Sequence, residues 1–194
     1  GVCLASLGRH AEARRFFEEA IQRTPDDPAL AYNLGAVCQS LHDNEAAAEH
    51  FRTCIRLSPS HLYALIRLGQ LDEAEERLEE ARARFESAAA LDTGSPLPYR
   101  HLARLDLRLG KADQAREHLH QALLRNPRDV AALSLMADLY LDGGEDPELA
   151  ESLARQSVAL RPEYRNGWLV LSRALEVQGR LSDAREALLK AGEL

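Results

Sequence analysis

The chain has 194 residues, a formal net charge of −7, and 45% hydrophobic and 5% aromatic residues. No apolar stretch approaches the roughly 18 residues that a membrane-spanning helix needs, and the acidic balance argues against a broad nucleic-acid surface. The three cysteines are odd in number and lack C-x-x-C spacing, so no disulfide framework is indicated; Cys3, Cys38 and Cys54 are expected as small buried hydrophobes at helix-packing positions.

In chain order, the sequence repeats itself. Ala13, Ala47, Ala81, Ala115, Ala150 and Ala184 are separated by 34, 34, 34, 35 and 34 residues, and self-similarity at that period marks an array of helix pairs. The first pair, residues 1–27, is partial: Gly1 falls on a small-residue position midway along a first helix, Gly8 marks a turn, and Ala13, Phe17 and Ala20 follow on the second helix. The second pair, 28–61, opens at Asp27 before Pro28, an N-cap with proline at the first helical position. It carries Leu34-Gly35 and then Ala47, Phe51 and Cys54. The third, 62–95, has Leu68-Gly69, Ala81, Phe85 and Ala88, and the fourth, 96–129, opens at Ser95 before Pro96 with Leu102-Ala103, Ala115, Leu119 and Ala122. The fifth, 130–164, opens at Asp129, carries Met136-Ala137 and starts its second helix at Asp146 before Pro147. It is one residue longer than the others, and Leu141-Asp142-Gly143-Gly144 is the expected place of the insertion. The sixth, 165–194, has Leu171-Ser172, Ala184, Leu188 and Ala191. Pro25, Pro59, Pro127 and Pro162 separate the pairs, with Thr93 in the remaining place.

Within each pair the large-small dipeptide of the first helix must lie close to the alanine of the second, which only small side chains permit. A large residue at Ala47 would overpack this contact at a cost of about 1–3 kcal/mol. Gly1 begins partway through a helix, so the chain reads as a piece of a longer protein; Leu194 ends a helix without a polar capping helix, so either more protein follows or the uncapped end pairs with another copy by self-association.

Catalytic signatures are absent: there is no G-x-S-x-G, no phosphate-cradling glycine loop and no H-E-x-x-H. The spacing of His118 and His120 points them to different sides of a helix, and no metal or other cofactor is expected. The carboxylates cluster in runs, Asp72 to Glu76 and Glu79-Glu80, beside Arg77, Arg82 and Arg84, as solvated helix faces do. Arginine outnumbers lysine 22 to 2, which points to a GC-rich bacterial genome; without a targeting segment, the expected compartment is the cytoplasm.

The recurring alanines, the large-small dipeptides, Trp168 and the turn glycines Gly8, Gly110, Gly144 and Gly179 resemble the tetratricopeptide repeat pattern over essentially the whole chain. His42 and Glu76 stand in the glycine place of the second and third pairs. The resemblance implies an all-α fold, a right-handed superhelical solenoid of stacked antiparallel helix pairs, with a concave groove lined by the first helix of each pair. It places Tyr32, Asn33, Tyr63, Arg67, Arg100, His101, Arg104, Arg108, Asp138 and Arg173 in that groove. The arginine forks suit carboxylates, and Leu135, Leu169 and Val170 lie beyond them. The implied function is a protein-interaction scaffold binding a partner peptide that carries an acidic group, and Arg100 and Arg104 are expected to be replaceable by glutamate without unfolding. An alternative is the recruiting or regulatory segment of a larger enzyme, of glycosyltransferase or sulfotransferase type, or of a signalling protein. Chaperone-binding relatives use a two-carboxylate clamp; Asn33 and Arg67 match it, but Val2 and Tyr63 depart. The asparagine ladder of glycosyltransferase arrays is broken at Arg67, His101, Leu135 and Val170. RNA binding through Arg100, Arg104, Arg108 and Tyr63 is disfavoured by the net acidity.

Overall fold

The computed structural model describes residues 1–91 and 94–193; Thr93 and Leu194, named above, lie outside the described residues. Those residues form twelve α-helices and no strand. They divide into two compact units, Gly1–Asp92 and Thr93–Leu194. The first holds α1 (Val2–Ser6), α2 (His10–Arg23), α3 (Pro28–Ser40), α4 (Asn44–Leu57), α5 (Leu62–Ala74) and α6 (Leu78–Ala90). The second holds α7 (Leu97–Arg108), α8 (Ala112–Arg125), α9 (Val130–Asp142), α10 (Pro147–Leu160), α11 (Arg165–Val177) and α12 (Leu181–Gly192).

Each pair closes through one turn design. The helix is followed by a left-handed residue, and the next amide bonds back to a carbonyl five residues earlier, as Lys111 N donates to Asp106 O at 2.9 Å and Arg180 N to Leu175 O at 2.9 Å. This satisfies carbonyls that the helix end would leave orphaned. Glycine supplies the left-handed residue at Gly8, Gly110, Gly144 and Gly179, with φ between 61° and 75°. His42 and Glu76 take the same conformation at φ 60°, so the turn survives without glycine at the steric cost a Cβ imposes there. In the fifth pair the extra residue falls after Gly144, not within Leu141–Gly144. Glu145 N bonds Tyr140 O at 3.0 Å, as Lys111 N bonds Asp106 O, and Asp146 is added as an N-cap whose Oδ1 accepts from Leu149 N at 2.9 Å.

Helix starts use the expected caps at Asp27 and Asp129, and Asp43 adds one that the sequence reading did not name. The carboxylates of Asp27, Asp43 and Asp129 accept amides of the first turns of α3, α4 and α9. Ser95 Oγ accepts from Leu97 N at 3.3 Å, which starts α7 one residue later than the Ser95-Pro96 sequence suggested.

The repeated alanines are all buried, at 0% or 1% exposure. In the first unit Phe51 and Phe85, each 0% exposed, lie against Gly35 and Gly69. In the second, Ala137, Ala150, Leu171 and Ala174 share one core with Leu175 and Ala184, and Ala103, Ala115, Leu119 and Met136 share another. Here α9 touches both α7 and α11, so the first helices of the pairs form a layer of their own.

Two further expectations are corrected. Cys38 and Cys54 are buried but Cys3 is exposed, because α1 offers only Leu4 and Ala5 to the core. The acidic run is not uniformly solvated: Asp72 and Glu73 are 3% and 6% exposed. Asp72 Oδ1 accepts from Arg77 Nη2 at 2.7 Å and Nε at 3.1 Å across the α5–α6 turn, and Arg77 also reaches Glu75.

Glu151 on α10 joins the last two pairs. It accepts from Arg155 Nε at 2.7 Å within the helix and from Arg180 Nη1 at 2.9 and 3.0 Å at the start of α12. Burial pushes its carboxyl up, but the hydrogen bonds from Arg155, Gln178 and Arg180 together outweigh burial and hold it below the usual glutamate value. A carboxyl depressed by folding contributes stability that is present above its unfolded value and lost as pH falls through the folded one. Glu151→Gln should therefore lower the unfolding free energy by about 1 kcal/mol at neutral pH, and the gap from the unaltered protein should close on acidification. A gap that stays constant with pH in thermal melts would contradict this.

Candidate functional site

The layer of first helices in the Thr93–Leu194 unit carries a cleft of about 280 Å³ between α9 and α11. Ser134, Leu135 and Asp138 enter from α9, and Asn166, Leu169, Val170 and Arg173 from α11, with Tyr164 at its N-cap. The helical period brings each set to one face: Leu135 and Asp138 are three residues apart, as are Asn166 and Leu169, and Arg173 follows four later. Leu135, Leu169 and Val170 supply an apolar surface, while Asn166, Asp138 and Arg173 give a polar rim. Such a mixture fits an apolar side chain held by a polar backbone.

The rim is internally paired. Arg173 bonds Asp138 through Nη1 and Asp142 through Nη2, the latter at 2.7 Å. Burial pushes the Asp138 carboxyl above the usual aspartate value, against the opposing pull of Arg173. Two carboxylates and one guanidinium make this end of the site slightly acidic, so Arg173 is not the group that would hold an acidic ligand.

The expected cationic stripe resolves into different roles. On α7, Arg104 and Arg108 are exposed one turn apart. Arg100 instead reaches Asp129, its Nη1 lying 3.0 Å from Oδ1 and 2.9 Å from Oδ2. Because Asp129 caps α9, Arg100 is committed to joining α7 to the next pair, and reversing its charge would set two carboxylates against each other at the cap. His101 is 5% exposed and belongs to the interior.

In the Gly1–Asp92 unit, Tyr63 (55% exposed) and the exposed Arg67 lie one turn apart on α5. Tyr32 is a packing residue: its ring lies 5.8 Å from Phe51 and 4.8 Å from His61. Asn33 lines a smaller hollow of about 160 Å³ with Phe17, Val37 and Ser40.

Sequence reasoning missed Tyr164. Its place before α11 lies outside any helical face count, so periodicity gave no signal for it. Among the described residues no three His, Cys, Asp or Glu side chains gather into a metal-sized cluster; His118 bonds the buried Asp106 at 2.7 Å and His120 is exposed. No helix among them is long and apolar enough to cross a membrane.

Family profiles described as tetratricopeptide repeat match residues 1–60, 73–139, and 32–96 together with 135–193. Cellulose synthase operon protein C of Xanthomonas axonopodis pv. citri is 31% identical over 154 residues, which cover 75% of this chain and 10% of that protein. The chain thus spans about a tenth of that relative's length. Among solved structures, Pseudomonas aeruginosa pilF superposes with a TM-score of 0.83 at 20% identity, covering 99% of this chain and 85% of that one. YrrB, a TPR protein with an unusual peptide-binding site, superposes with a TM-score of 0.66 at 20% identity, covering 90% of each chain.

Proposed function

The chain belongs to the tetratricopeptide repeat family, and from that premise we propose that this interaction scaffold grips a partner peptide on the α7–α9–α11 face of its Thr93–Leu194 unit. The observation that carries this reading is the α9–α11 cleft, where Leu135, Leu169 and Val170 meet a polar rim. An apolar side chain of the peptide enters the cleft, and Asn166 at the rim bonds its backbone. An acidic residue of the same peptide faces Arg104 and Arg108 on α7, whose exposed guanidinium forks suit a carboxylate. The peptide-binding site named for YrrB lies on a protein of the same fold and supports the class of ligand.

Peptides selected from a random-sequence display library on the full chain provide the probe. Leu169→Asp should weaken the selected peptides by at least about tenfold, the loss of one hot-spot contact. Arg104→Glu with Arg108→Glu should weaken acidic peptides more than neutral ones, with the difference shrinking at high salt. Unchanged affinity in Leu169→Asp would overturn the cleft, and equal loss for acidic and neutral peptides would overturn the role of the arginines.

A second reading is favoured by the alignment to one tenth of a much longer relative: the array acts as the recruiting segment of a larger protein. The reading frame that surrounds this segment tests it.

A further inference from the structure

The Gly1–Asp92 unit holds a hollow of about 220 Å³ between α4, α5 and α6, lined by Arg52, Ile55, Arg56, Leu68 and Arg84. We propose that it is an oxyanion site of the phosphate-monoester class, formed by Arg52, Arg56 and Arg84. It does not rest on the peptide cleft, which uses other helices.

Three observations converge on this site. Arg52 and Arg56 are exposed one turn apart on α4, an arrangement of like charges that a helix does not favour, and neither makes an ion pair among the described residues. Arg84 comes from α6, and its Nε–H is buried with no hydrogen-bond acceptor among the described residues. Its nearest carboxylate oxygen, Asp72 Oδ2, lies 3.9 Å away, too far for a hydrogen bond. The other oxygen of Asp72 is already held by Arg77. A buried donor without an acceptor is costly, and an incoming oxyanion would satisfy it.

Charge selects the ligand class. Three guanidinium groups line the hollow, and among the described residues the one ion pair they make joins Arg84 to Asp72, itself shared with Arg77; this cationic group stands in a chain whose formal net charge is −7. A phosphate monoester carries about −1.5 to −2 charges near neutral pH and three acceptor oxygens, enough to engage forks from two helices. Leu68, 1% exposed, and Ile55 keep water from one side of the hollow, which strengthens each charge-assisted bond.

The test follows the Arg84 Nε–H resonance of the full chain by NMR while inorganic phosphate is added, with chloride at matched ionic strength as the control. The resonance should move with phosphate and saturate. Arg52→Gln with Arg56→Gln should weaken that binding by about tenfold or more and leave the thermal midpoint unchanged, because both side chains are exposed. A phosphate response no larger than that of chloride, or unchanged binding in the double variant, overturns the site. A phosphoserine peptide forms a second arm. If it binds at least about tenfold more tightly than inorganic phosphate, the oxyanion arrives on a protein; equal affinity identifies a free anion, and either result retains the site.

Discussion

Phe85→Ala is expected to lower the stability of the Gly1–Asp92 unit by about 3–5 kcal/mol, the range for removing a fully buried aromatic ring. Phe85 is 0% exposed, and its ring fills the space left by the missing side chain of Gly69. A Cβ at residue 69 would stand 2.6 Å from Phe85 Cε1 and 3.0 Å from Cδ1 and Cζ. The pair therefore predicts a change of sign. In the unaltered protein Gly69→Ala should destabilise, because the overpacking outweighs the gain of about 1 kcal/mol that alanine normally brings inside a helix. In the Phe85→Ala background the same change should stabilise, since the clash is gone and the new methyl occupies part of the cavity. Hydrogen exchange of the α5 and α6 amides reads both effects in the right unit. Stabilisation by Gly69→Ala in the unaltered protein would show that the ring does not set this contact.

Asp129→Ala should cost the Thr93–Leu194 unit about 2–4 kcal/mol, combining a lost N-cap with a lost charge-assisted pair. Asp129 is 7% exposed; its Oδ1 accepts from Ala132 N at 2.9 Å while both oxygens hold Arg100 Nη1. An asparagine in its place would retain the cap but not the charge, so Asp129→Asn should recover only part of the loss. The single tryptophan, Trp168, lies in this unit, and its fluorescence during urea unfolding gives the midpoint for each variant. Full recovery by asparagine would mean that Arg100 contributes nothing to the fold and is available for a ligand after all.

The register of the array was legible because its cause is local and repeated. Ala47, Ala81 and Ala150 must be small wherever two helices touch closely, so the steric demand is written at a fixed spacing. Caps such as Asp27 and Asp146 were legible for the same reason, since a side chain three residues from the amide it accepts is visible in any sequence. Interactions between pairs were not. Arg100 and Asp129 are 29 residues apart, and each had a sufficient separate reading, one as a groove cation and the other as a cap. Burial that depends on the neighbouring pair was equally hidden: His101 is buried, and Tyr32 is half-buried against Phe51 and His61. The insertion was misplaced by a few residues because Gly143 and Gly144 read equally well as a loop; only the backbone bond from Glu145 to Tyr140 distinguishes the turn from the added cap.

The most direct test of the binding account is an NMR footprint of a library-selected peptide on the full chain, read at methyl and amide groups. The account predicts shifts concentrated at Leu135, Leu169 and Val170, with Asn166 and the exposed Arg104 and Arg108 at the margin. Shifts concentrated instead on α8, α10 and α12, with the α9–α11 cleft unperturbed, would contradict it.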